Sequence, residues 1–152
     1  MLSKQLLKSN PKSSLYSTVW TRIGKKADDG DISLFEQEAP YVFGSKKYGF
    51  GTAIFSYVKS VKSDASFARG IELMKIMITT ESNRNQRSSV FGNLAQVISE
   101  QADNAKSEKP EESVPAKKRI ELVKAACQVA IDAESDSEKK KDFEKLLKVA
   151  LE

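Results

Sequence analysis

The sequence predicts an all-α protein: a helical bundle of about five to six helices with a C-terminal antiparallel helical hairpin. Three observations carry this. Apolar residues recur at three- and four-residue spacing in every segment long enough to show a period. The one segment that invites a strand reading, residues 52–62, fails the alternation test, because Lys59 would share a face with Phe55 and Tyr57. Prolines and small polar residues break the chain at intervals that helices of ordinary length fill.

Taken in order, Leu2, Leu6 and Leu7 predict a short helix closed by Asn10 and Pro11, since a residue before proline disfavours the α conformation. Ser13 or Ser14 can cap a second helix with Leu15, Tyr16, Val19, Trp20 and Ile23 on one face. Residues 25–31 read as a polar turn, and residues 32–38 as one or two helical turns that Pro40 stops. The stretch 40–51, with three glycines, reads as irregular. In 52–62, Ile54, Tyr57, Val58 and Val61 form one stripe. In 64–80, Phe67, Ile71, Leu73, Met74, Ile76, Met77 and Ile78 surround the axis and leave a thin polar stripe at Arg69, Glu72, Lys75 and Thr79, the pattern of a central helix.

Residues 79–89 read as a polar connection, after which Phe91, Leu94, Ala95, Ile98 and Ala102 define another amphipathic helix. The expected organisation is a bundle over 1–105, a linker at 106–113 and a hairpin over 114–152, extended or docked on the bundle as one domain. Within the hairpin Pro115 suits a first helical turn, and Ile120, Val123, Cys127, Ala130 and Ile131 make an apolar face. Ser135 with Glu138 offers a capping box for a last helix that buries Phe143, Leu146, Leu147 and Ala150.

Composition narrows the chemistry. The chain of 152 residues has one Cys and no His, which removes the commonest general base, the commonest metal ligand and any Cys–His nucleophile. A lone thiol, Cys127, forms no internal disulfide and no zinc or iron–sulfur cluster, and on an apolar face it reads as a small buried hydrophobe. No catalytic constellation, cofactor or metal site is expected, and no apolar run reaches the length of a membrane span. A reducing, cytoplasmic compartment is the expectation; the first acidic residue is Asp28, so a presequence-like N-terminus makes mitochondrial import the minor alternative.

The net charge of +4 is uneven. Residues 1–62 carry ten Lys/Arg against five Asp/Glu, and ten of the twelve aromatic residues lie between 16 and 67. A basic surface interleaved with aromatics can bind nucleic acid, which makes that the alternative function. Residues 25–36 partly resemble an EF-hand calcium loop through Asp29, Gly30, Ile32 and Glu36, but Lys25 and Ala27 stand where calcium needs oxygen donors. The preferred reading there is a polar turn. Lys46, Tyr48, Gly49 and Phe50 resemble the basic-aromatic strand of RNA-recognition domains, yet that signature works only on a sheet.

The leading expectation is a small non-enzymatic protein-interaction module: an adaptor, inhibitor or regulator, of the kind found among bacterial accessory or effector proteins. Its partner-binding residues are expected to be Tyr41, Phe43, Lys46, Lys47, Tyr48 and Phe50, because rings crowded into an aperiodic, glycine-containing segment cannot all reach the core. Arg84 and Arg87, among amides and hydroxyls, are candidate contacts to an anion or nucleic acid.

Overall fold

The computed structural model describes the backbone of residues 32–42, 50–80 and 84–152. Among these residues the chain is all α-helical, with six helices and no strand. They are α1 (Ile32–Val42), α2 (Phe50–Ser60), α3 (Asp64–Thr80), α4 (Arg84–Ala105), α5 (Pro110–Ala133) and α6 (Ser137–Leu151). No helix among the described residues is long and apolar enough to cross a membrane.

The helices expected from Leu2–Leu7 and Leu15–Ile23 lie outside the described residues; within them most apolar periods fold as they read. Ile54, Tyr57 and Val58 of α2 are completely buried, with Val61 just beyond the helix end nearly so. Phe35 of α1 meets the Tyr57 ring edge-on, with centroids 5.6 Å apart. In α3 Phe67, Ile71, Leu73, Met74, Met77 and Ile78 are buried, whereas Ile76 falls on the same stripe as Glu72 and Thr79 and is exposed. Gly70 lets α2 approach closely: a Cβ there would stand 2.7 Å from Val58 Cγ2. Buried residues of α1 to α6 form one continuous apolar cluster, running from Ile32 and Phe35 to Phe143 and Leu147.

Several boundaries differ from the sequence reading, each for a local reason. α1 continues through Pro40 to Val42, because a proline in the last turn forfeits only one intrahelical bond. Phe50 and Gly51 belong to α2, so residues 50–53 are helical and cannot form a strand. α4 begins at Arg84, so six polar residues expected in a connection form its first turns. Two of them are engaged across the bundle, Arg87 with Glu134 and Ser88 with Lys139. α5 begins at Pro110, with Glu111 and Glu112 in the first turn where the helix dipole favours acids. The connection from α4 is thereby shortened to residues 106–109, and Pro115 sits inside the helix.

α6 starts one residue later than a Ser135 cap would place it. Asp136 is the N-cap, accepting from the Glu138 and Lys139 amides at 3.1 Å each, and Glu134 Oε1 accepts the Asp136 amide at 3.1 Å. α6 runs in the same direction as α4: Lys139 Nζ donates to Ser88 Oγ at 2.7 Å, and one turn further Phe143 stacks on Phe91 with centroids 4.2 Å apart. α5 packs along both α3 and α4. This order leaves α6 against α4 on one flank and α5 on the other, with much of its surface facing out.

Candidate protein-interaction surface

The expected docking segment falls mostly outside the described residues. Tyr41 lies in the last turn of α1 and Phe50 opens α2, which places their backbones only. Phe43, Lys46, Lys47 and Tyr48 lie outside the described residues, as does the acidic part of the calcium-like turn. Glu36, the terminal glutamate of that turn, is paired with Arg69 of α3, whose guanidinium also reaches Ser33 Oγ at 3.4 Å.

Arg84 opens α4, and its side chain is outside the described residues. Arg87 is turned inward. Its Nη1 lies 3.3 Å from Glu134 Oε2, and the Glu134 side chain is only 2% exposed. That carboxylate also accepts the Asp136 amide, so it ties α4 to the start of α6. The pairing neutralises the charge that the sequence offered to a phosphate and gives Arg87 a role in joining helices.

A second arginine does similar work at the other end. Arg119 of α5 donates from Nε to Asp64 Oδ1 at 2.8 Å, from Nη2 to the Lys62 carbonyl at 2.8 Å and from Nη1 to the Val61 carbonyl at 3.3 Å. Its guanidinium also lies 4.6 Å from the Phe67 ring centroid. It thus satisfies carbonyls just past the C-terminus of α2 and an acid in the first turn of α3.

Besides Ile76 of α3, the large apolar side chains left exposed among the described residues lie on α5 and α6. Val114, Leu122 and Val129 of α5, and Leu146, Val149 and Leu151 of α6, are each at least 40% exposed. Leu146 was expected in the core with Phe143 and Leu147. It faces out because the stripe α6 buries is only wide enough for those two. With Val149 and Ala150 it forms one wall of an open groove whose other wall is Gly92, Ala95, Gln96 and Ser99 of α4. A Cβ at Gly92 would meet nothing within 4 Å, so the glycine leaves a notch in the floor. A second open groove lies on the other flank of α6, where Leu147, Lys148 and Leu151 face Gln128 and Ile131 of α5.

Cys127 is buried, and desolvation pushes its thiol up to about 12, which keeps it protonated and inert. Among the described residues no three His, Cys, Asp or Glu side chains are gathered as a metal site. The groove between α4 and α6 is thus lined by small residues and walled by exposed leucine and valine. No protein-family model, curated protein or solved structure matches the chain.

Proposed function

We propose that the chain is a small non-enzymatic protein-interaction module, and that it receives an amphipathic helix of a partner protein in the groove between α4 and α6. The observation that carries this is the pairing of exposed Leu146 and Val149 with the open notch at Gly92. Two parallel helices with Gly92, Ala95 and Ala150 between them admit a third helix at close range, and the two larger side chains give its apolar face something to grip. Gln96 and Ser99 supply the polar rim that fixes register.

Photo-cross-linking from inside cells tests the reading. A benzophenone amino acid at position 149 is expected to trap one protein in an adduct of defined mass, and the same group at Lys141, on the exposed polar face, is expected to trap none. Filling the notch with Gly92→Leu is expected to remove the adduct while the thermal midpoint holds. An adduct that survives Gly92→Leu, or one that nuclease dissolves, contradicts the proposal, the latter in favour of nucleic-acid binding.

A further inference from the structure

The outward face of α5 carries a pattern that is complementary to itself. With about 100° of turn per residue, the side chains of residues 118–132 within about 60° of Ala125 are Lys118, Glu121, Leu122, Gln128, Val129 and Asp132, and exposed Glu111 and Val114 continue the ridge toward the helix N-terminus. All are exposed, and they lie on the side of α5 turned away from Val123, Ala126, Cys127 and Ala130 in the core. Leu122 and Val129 fall on one flank of this ridge, Glu121 and Gln128 on the other, and Lys118 and Asp132 near its crest.

A two-fold axis passing beside Ala125 sets each residue against one whose distance on the opposite side of the centre matches to within one residue, and keeps each flank against itself. Lys118 and Asp132 both stand seven residues from Ala125, about 10 Å along the helix, so each lysine meets the other copy's aspartate. Leu122 meets Val129 on the apolar flank, and Glu121 meets the Gln128 amide on the polar flank. Small Ala125 meets itself at the crossing, where a larger residue would hold the helices apart.

The surface is shaped for this. Lys118, Glu121, Leu122 and Ala125 enclose a shallow apolar hollow, and their spacing is that of the four-residue hole in knobs-into-holes packing. In the antiparallel arrangement Gln128 and Val129 of the second copy stand at the height of that hollow, with Val129 on its apolar flank. Gln128 Nε2 donates to Asp132 Oδ1 at 2.9 Å, which holds the aspartate on the ridge with its other oxygen available to an incoming lysine.

We infer that the chain self-associates as a two-fold dimer through antiparallel α5–α5 packing centred on Ala125. The charge pattern selects a second copy as the occupant, since both the salt-bridging and the apolar residues are matched by this helix's own sequence in reverse. One helix pair buries less than the about 1,200 Å² of a strong specific interface, so a Kd of about 1–100 µM is expected.

Sedimentation velocity on the full chain tests it. Ala125→Glu and Ala125→Lys each bring like charges together at the axis and are expected to be monomeric, with helical circular dichroism unchanged because the site is exposed. Mixed in equal amounts, the two variants are expected to restore the dimer, because the glutamate then faces the lysine. A wild-type chain that stays monomeric up to about 0.5 mM overturns the proposal. So does a dimer that persists in either single variant, or one that mixing does not restore. This surface is separate from the groove lined by Leu146 and Val149, so either result leaves the partner-binding reading to its own test.

Discussion

The Arg119 guanidinium and the Asp64 carboxylate, 55 residues apart in sequence, meet at 2.8 Å and join α5 to the turn between α2 and α3. The same guanidinium takes the carbonyls of Val61 and Lys62 and lies against Phe67, with the Arg119 side chain only 12% exposed. Several partly buried, charge-assisted contacts on one side chain make Arg119 a principal tie between α5 and the connection from α2 to α3. Arg119→Ala is expected to destabilise the fold by about 2–3 kcal/mol in urea unfolding. Arg119→Lys should recover less than half of that, because an ammonium cannot reproduce the planar fork.

Two glycines in helix interiors should respond in opposite directions. Gly70→Ala places a methyl group 2.7 Å from Val58 Cγ2, and forcing α2 and α3 apart should cost about 1–3 kcal/mol despite the better helix propensity of alanine. Gly92→Ala meets no neighbour within 4 Å and should stabilise by up to about 1 kcal/mol. Thermal midpoints of the two variants, measured side by side, check both signs.

The Arg87–Glu134 pair predicts strong non-additivity. Removing Arg87 alone leaves a carboxylate that is 2% exposed without its cation, and Arg87→Met should cost about 2–4 kcal/mol. The double variant Arg87→Met with Glu134→Leu removes both charges and should be closer to wild type than the single Arg87 variant. A double-mutant cycle in urea measures the difference.

Cys127 links stability to alkaline pH. Its thiol is held protonated up to about 12 in the fold, against 9.0 for the ordinary group. The unfolded chain therefore loses this proton first, and the contribution to stability is complete below about pH 9 and declines as pH rises toward 12. Wild type should lose stability relative to Cys127→Ala over that window, and iodoacetamide at pH 8 should label native protein only as fast as it opens. Equal pH profiles for the two proteins, or rapid native labelling, would contradict the buried, raised thiol.

The sequence made the helical cores legible and their edges much less so. Ile54, Tyr57 and Val58, and the apolar girth of α3, follow from spacing alone, because a period of 3.6 with that many large residues has few other folded solutions. Residues 84–89 and 110–113 read as connection because they are polar, yet they form helix, where Arg87 and Ser88 find polar partners on other elements and Glu111 and Glu112 suit a first turn. Spacing also put Leu146 in the core with Phe143, as it reports which residues share a face but not how wide a stripe the neighbours cover. The ties made by Arg87 and Arg119 had no local signal, because their partners lie 47 to 58 residues away.

The central claim is that the groove between α4 and α6 holds a partner helix, and affinity measured against a filled groove addresses it most directly. The partner trapped through position 149 is titrated calorimetrically into wild type, Gly92→Leu and Gly92→Ala. Gly92→Leu should weaken binding at least tenfold, about 1.4 kcal/mol, while its thermal midpoint stays at or above that of wild type. Gly92→Ala, a smaller intrusion, should fall between the two. An unchanged Kd for Gly92→Leu in a fully folded protein would contradict the account.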